Sequence, residues 1–274
     1  MSLMDRLRGS DPRLWQIGVL ASLLTYGLLV LGFDTGAGRV ALIVATALGA
    51  QWAATKIWKL PFFDPRSALI SALSLCLLLR TRFWWLAVVI ALVTIFSKFI
   101  LRWRGKHIFN PTNFGLAIGI LFVPGVWVSS GQWGSFAIFA FLMICLGSMV
   151  IHRAERSDVT VAFLLSWAGL LFARAAWLGD PWEIPFHQLQ SGALLLFSFF
   201  MISDPKTTPD SRPGRILFAF LVACGAYYVQ FKLFTPNGLL LSLVACSLLV
   251  PLIDILLPAG RYVWLPHRRL QPAT

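Results

Sequence analysis

Long apolar runs separated by short polar gaps pattern this chain from residue 14 to residue 257. Ten can be marked off, at 14–33, 39–57, 62–80, 83–101, 112–129, 133–151, 159–178, 188–203, 214–232 and 237–257. Most approach the roughly 20 residues that a helix needs to cross about 30 Å of hydrocarbon. The gaps between them reach only about a dozen residues, too few for a separate soluble domain. The pattern predicts an all-α integral membrane protein whose residues 1–274 form one membrane domain.

Two runs are weaker than the rest. The third opens on Pro61, Asp64, Pro65 and Arg66, and the eighth is broken after Ser203 by Asp204 and Pro205. Both carry a similar start, Ser67-Ala68-Leu69 and Ser191-Gly192-Ala193-Leu194. A second pair repeats at a similar spacing: Phe109-Asn110-Pro111-Thr112-Asn113-Phe114-Gly115-Leu116 is echoed by Phe234-Thr235-Pro236-Asn237-Gly238-Leu239. Five runs then fall in each half, about 14–129 and 133–257. An odd number of crossings turns the second copy over, so the echo predicts an inverted repeat. Short or Pro-interrupted runs at matching places in two halves point to a binding site between them, although tilted helices with Pro-marked ends would read the same way. Asn110 and Thr235 are expected N-caps, with Pro111 and Pro236 in the first helical turns.

Composition agrees with the pattern: 58% of residues are hydrophobic and 12% charged, with mean hydropathy +0.77. The net charge of +12 would suggest nucleic acid in a soluble protein. Here 18 of the 23 Lys and Arg residues fall on one side of the ten-run topology, the side of both termini. By the positive-inside rule that side is the cytoplasm, in a bacterial inner membrane, and no nucleic-acid partner is expected. The basic start, with Arg6, Arg8 and Arg13 before an apolar run and no small-residue cleavage site, reads as an uncleaved signal anchor. Cys76, Cys145, Cys224 and Cys246 lie in four different runs. They read as packed thiols, with a metal or iron–sulfur site assembled across helices as the alternative.

Chemistry-bearing residues are few. Nucleotide-loop, serine-hydrolase and zinc-protease motifs are lacking, and no catalytic residue is assigned. The histidines His107, His152, His187 and His267 all fall at run ends and read as interfacial. Lys98, Arg174 and Asp254 lie near the ends of apolar runs; the first two can snorkel, and Asp254 suits a structural hydrogen bond. The stretch Ser203-Asp204-Pro205-Lys206-Thr207-Thr208-Pro209 holds a carboxylate and hydroxyls on a Pro-stiffened backbone. It is expected on the same side as Asp64 and as Asn110, Thr112 and Asn113, so these residues can line one cytoplasmic cavity. Amides, hydroxyls and flanking aromatics suit an isoalloxazine ring or a quinone headgroup.

At these residues the chain resembles the RnfD/NqrB family, which contains the RnfD protein of the Rnf electron-transport complex and the NqrB protein of the sodium-pumping NADH:quinone oxidoreductase. The resemblance runs from about Pro61 to Asp254. Its anchors are Asp64 with Ser67-Ala68-Leu69, Trp84-Trp85, Lys98, Phe109-Asn110-Pro111, Ser203-Asp204-Pro205 through Thr208-Pro209, Gly214-Arg215, Pro236-Asn237-Gly238 and Val250 to Asp254. It implies about ten helices in two inverted five-helix repeats similar to the urea-transporter architecture, flavin-dependent electron transfer in an ion-coupled complex, and a flavin site near Asn110. Members that carry covalent FMN attach it to a Thr in the outer loop after the fifth helix; here that loop reads Val128-Ser129-Ser130-Gly131-Gln132-Trp133 and has no Thr. The chain therefore looks like the divergent, non-flavinylated branch that includes UnbU-type proteins, and the flavin implied is riboflavin or FMN held without a covalent bond.

The sequence thus points to a membrane-embedded electron-transport subunit with a noncovalent flavin or quinone site, surrounded by lipid and working with redox partner proteins. Asn110, Thr112, Asn113, Asp204, Thr208, Asp64 and Lys98 are its expected binding residues. Two alternatives stay open: a transporter or channel-like protein for a small polar or aromatic solute, and a scaffold that anchors another enzyme.

Overall fold

A computed structural model describes residues 11–129 and 137–262. Residues 1–10, the outer-loop residues 130–133 and the basic end with His267, Arg268 and Arg269 lie outside the described residues. The first half holds α1 (Pro12–Leu29), α2 (Gly36–Ile57), α3 (Arg66–Leu78), α4 (Trp84–Ile100) and α5 (Pro111–Phe122). In the second, α6 (Ala137–Arg153) and α7 (Ser157–Leu178) precede a short α8 (Glu183–Leu189). Next come α9 (Gly192–Leu196), which widens into a π-turn at Phe197–Met201, then α10 (Arg212–Phe231), α11 (Gly238–Ser247) and α12 (Val250–Leu256). Four short strands accompany them: β1 (Leu79–Thr81), β2 (Arg102–Trp103), β3 (Lys106–His107) and β4 (Val126–Val128).

The helices bury small residues and turn large apolar ones outward. Ala47, Ala54, Ala68, Ala72, Ala87, Ala91, Ala219, Ala223 and Ala226 are wholly buried, whereas Trp52, Phe122, Leu165 and Trp177 are exposed. Small residues inside let backbones approach, and a large apolar exterior is what a bilayer covers. Among the described residues α2, α7 and α10 are long and apolar enough to cross a membrane, and α11 with α12 makes a fourth, bent by 49° at its break. The protein is an all-α, multi-pass membrane protein.

The third and fifth apolar runs differ from the continuous spans expected of them. Their helices stop at Leu78 and Phe122, and the chain goes on as β1 and β4, which pair antiparallel with Leu79 opposite Val128 and Thr81 opposite Val126. Extended backbone away from water must find its own partners. Each strand satisfies the other, and Arg82 N–H adds a 2.8 Å bond to the Gly125 carbonyl. Buried Arg80 donates to the Leu79 and Cys76 carbonyls at 2.8 and 3.3 Å, and Thr35 Oγ1 also donates to Cys76 at 3.3 Å. These donors close the carbonyl end of α3.

The eighth run is broken twice, between α8 and α9 and at the π-turn. Its loosened carbonyls are taken up by hydroxyls: Thr160 Oγ1 donates to Ser198 at 2.8 Å and Ser203 Oγ to Phe199 at 2.5 Å. Such single π-turns recur at functional sites. The echoed motifs also differ from expectation in one respect. Asn110 caps α5, its Oδ1 accepting from Asn113 N at 3.0 Å with Pro111 in the first turn. The partner helix α11 begins later, after Asn237, so Pro236 lies outside it and Thr235 donates to the Leu233 carbonyl instead. The two motifs meet: Asn113 Nδ2 donates to the Leu240 carbonyl at 3.0 Å, binding the first turns of α5 and α11 together.

Candidate functional site

Both short helices of the first half, α3 and α5, begin at one cavity of about 250 Å³. Reaching it besides are the start of α1, Gln51 of α2, the end of α4, the β2–β3 hairpin, the end of α6, the π-segment and the turn that follows it. Its apolar wall includes Phe99, Ile151, Phe199, Phe200 and Met201, and its polar wall includes Gln51, Ser67, Lys98, His107, Asn110 and Asp204.

The mouth is built from a tripeptide used three times, Asp11-Pro12-Arg13, Asp64-Pro65-Arg66 and Asp204-Pro205-Lys206. In each, the Asp side chain accepts the backbone N–H two residues on, at 2.9, 3.1 and 3.0 Å. Pro fixes φ between the two groups, which suits this closed turn. The first two copies lock together: Arg13 bonds Asp64 at 2.6 Å and Asp11 at 2.7 Å, while Arg66 bonds Asp11 and Asp64 at 2.8 Å each. Burial disfavours the ionised Asp64 carboxyl, but hydrogen bonds from Arg66 and Arg13 and the Arg13 charge outweigh it and hold its pKa below the ordinary value. Asp11 is lowered in the same way. The third copy differs. Burial raises Asp204 above the ordinary carboxylate value, although the Lys206 amide and the Lys206, Lys98 and Arg156 charges pull the other way.

Lys98 comes from the last turn of α4 and is 4% exposed. It does not snorkel; Nζ turns inward and donates to Ser67 Oγ at 3.0 Å and Gln51 Oε1 at 3.4 Å. Asn110 ties the start of α5 to the far half, its Nδ2 donating to Asp204 Oδ2 at 3.3 Å and the Met201 carbonyl at 3.4 Å. The hairpin β2–β3, which pairs Arg102 with His107, turns tightly through Arg104 and Gly105, both at positive φ. It brings Arg102 Nε to the Lys98 carbonyl at 2.5 Å and the His107 ring to the same carbonyl. His107 Nδ1 is buried with no hydrogen-bond partner. Burial first, then the Arg102 and Lys98 charges, push this imidazole down to about 4, so it is neutral at physiological pH.

Of the residues expected to share a cavity, the structure brings Asp64, Lys98, Asn110, Thr112 and Asp204 to its wall. Asn113 and Thr208 are turned elsewhere. Asn113 bonds α11, and Thr208 accepts from Arg156 Nε at 3.2 Å and donates to the Asp204 carbonyl at 3.2 Å. Both are buried connectors. His107, read as an interfacial histidine, belongs to the wall, and Arg13, Gln51 and Ser67 join it unforeseen. The recurring Asp-Pro-basic tripeptide was the signal available for Arg13; a tight hairpin decides His107, and no sequence motif carries that.

The other two charges singled out near the ends of apolar runs are paired. Asp254 accepts from Lys106 at 2.6 Å and from the Asp210 amide at 2.8 Å, the structural role expected of it. Arg174 bonds Asp180 at 3.1 Å over the face of Phe231.

Relatives place this arrangement in context. The model of the NQR2, RnfD, RnfE family matches residues 121–262, which include Asp204 and its turn but not α3, Lys98 or Asn110. The RnfD subunit of the ion-translocating oxidoreductase complex of Erwinia tasmaniensis is 30% identical over 149 residues, 53% of this chain and 37% of that protein. Its counterpart in Yersinia enterocolitica is 28% identical over 136 residues, covering 49% and 37%. That of Klebsiella pneumoniae is 32% identical over 105 residues, covering 38% and 29%. The chain thus aligns with less than half the length of these relatives. With just over half of its own residues matched by the family model, this membrane protein belongs to the NQR2, RnfD, RnfE family.

Proposed function

We propose that the chain is the electron-transfer subunit of a membrane oxidoreductase complex and holds a flavin, riboflavin or FMN, noncovalently in the cavity between α3, α4, α5 and the Asp204 turn. The observation that carries the reading is a cavity that joins a wall of Phe99, Phe199, Phe200 and Met201 to the buried Lys98 amine and the unpartnered His107 Nδ1. Such a pairing fits a flat heteroaromatic ring with a polar edge. Relatives named as subunits of an ion-translocating oxidoreductase complex support the same reading.

A flavin supplies one- and two-electron transfer; the chain supplies the place where that happens. Phe199, Phe200 and Met201 exclude water from the ring face. Lys98, Asn110 and His107 orient its polar edge, and the Asp11–Arg13–Asp64–Arg66 ring holds α1 and α3 together at the mouth. The basic face that carries this cavity is the cytoplasmic one in the proposed topology, with both termini there and ten membrane segments in two inverted repeats. The contact between Asn113 and Leu240, residues 127 apart in sequence, supports that arrangement because it joins the two echoed motifs. In the proposed assignment this chain stands in the branch without covalent FMN.

The visible spectrum of detergent-purified protein, recorded before and after denaturation, tests the reading. A flavin spectrum that moves to the small-molecule fraction on denaturation is expected. Protein that neither retains flavin nor takes it up when it is supplied sinks the proposal. A second reading, transport of a small solute, draws on the broken α11–α12 pair and the half-length α3 and α5, features common in transporters. Solute flux in liposomes without reductant or partner favours it.

A further inference from the structure

Resting on the flavin reading, we infer that this cavity binds the reduced, anionic form of the ring more tightly than the neutral oxidised form, with Lys98 as the countercharge. Lys98 is a buried amine whose hydrogen-bond partners are all neutral. Its Nζ donates to a hydroxyl and an amide, and among the described residues every recorded ion pair belongs to other groups. The carboxylates that act on it from across the wall, Asp204 and Asp64, make no ion pair with it: Asp64 is bonded to Arg13 and Arg66, and Asp204 accepts from the Lys206 amide and Asn110. A desolvated ammonium held without a contact ion pair is costly to keep charged, and a ligand of opposite sign at hydrogen-bond distance relieves that cost.

Two further features carry the same sign. The N-termini of α3 and α5, helices of 13 and 12 residues, both open at the cavity and direct their partial positive charge into it. The charged groups on the wall are the cations Arg13, Lys98, Arg102 and Lys206 against the carboxylates Asp64 and Asp204, with His107 neutral. The excess is positive.

The ring chemistry matches this excess. When two electrons from a donor and one proton at N5 enter a neutral isoalloxazine, the negative charge that remains is spread over N1 and the C2 carbonyl. Preorganised donors in a low-dielectric site act most strongly on such a charge. Lys98 is a positioning and charge-compensating residue here, acting on the potential of the ring.

The test is a dithionite titration, followed by absorbance, of purified protein loaded with riboflavin. In Lys98→Gln the reduced form loses roughly tenfold of its binding advantage over the oxidised form, a drop in midpoint potential of about 30 mV for a two-electron couple; Lys98→Arg recovers most of it. An unchanged potential in a Lys98→Gln protein that still holds riboflavin overturns the inference and leaves the flavin reading standing. Should that variant fail to fold, the parent protein carries the test alone. Just below about pH 6, where free reduced riboflavin keeps its N1 proton, uptake of one proton per two electrons gives a slope of about 30 mV per pH unit. A slope of about 60 mV, for two protons, overturns the inference. Failure to bind riboflavin in any form overturns both readings.

Discussion

Asp64 and Asp204 open two copies of the same tripeptide yet face opposite electrostatic surroundings, and their Asn variants should part accordingly. Asp64→Asn leaves Arg13 and Arg66 sharing the single carboxylate of Asp11, and a loss of about 1–3 kcal/mol is expected for this half-buried network. Asp204→Asn removes a charge that burial disfavours while keeping an oxygen for the Lys206 amide, so its stability stays within about 1 kcal/mol of the parent. Thermal unfolding in detergent separates the two. The pH dependence follows from the same shifts. A folded pKa below 3.8 for Asp11 and Asp64 means that their stabilisation is complete above that ordinary value and is lost as pH falls through the lowered one. Melting should fall below about pH 4, and less steeply in Asp64→Asn. At this scale the sequence named Asp64, Lys98, Asn110, Thr112 and Asp204 for the cavity, because a charge or an amide beside an apolar run invites a role. It misjudged Asn113, whose place one turn into α5 aims it at α11, and His107, whose direction depends on a hairpin register.

At the level of elements, α4 and α5 pack so closely that a Cβ at Gly115 would overlap Thr94 Oγ1, with Thr94 Cβ only 3.1 Å away. Gly115→Ala should therefore cost about 1–3 kcal/mol through overpacking, and adding Thr94→Ala should recover most of the loss. Failure of the double variant to recover any stability would place the strain elsewhere. The short length of the third run was legible, since Pro65 and the polar residues around it delay the helix to Arg66. The end of the fifth helix is marked as well, by the Pro124-Gly125 pair that follows Phe122, but the strand beyond it is not: Val126 to Val128 leave the helical path as β4 only because β1 is available as a hydrogen-bonding neighbour. The same holds for the π-turn, which depends on Thr160 from another helix taking the Ser198 carbonyl.

Across the whole molecule, Lys106, Asn110 and Asn113 tie the first half to the second, and the bond from Asn113 to Leu240 is one that can be removed without touching the cavity wall. Asn113→Ala should lower stability by about 1 kcal/mol and leave riboflavin uptake unchanged. Asn110→Ala, which frees the α5 cap and the Asp204 carboxylate together, should reduce both; equal uptake by the two variants would argue against a ligand at this wall. The sequence by itself determined that this is an apolar, multi-pass helical chain, where its charges lie relative to the membrane segments, and which segments are weak. Those properties follow from local composition and from the cost of placing polar groups in hydrocarbon. Only the tertiary structure decided which weak segments end as paired strands, that three Asp-Pro-basic turns share one mouth, and that Lys98 is buried among neutral partners. Each of these depends on groups far apart in sequence meeting at hydrogen-bond distance, and no run of neighbouring residues encodes that meeting.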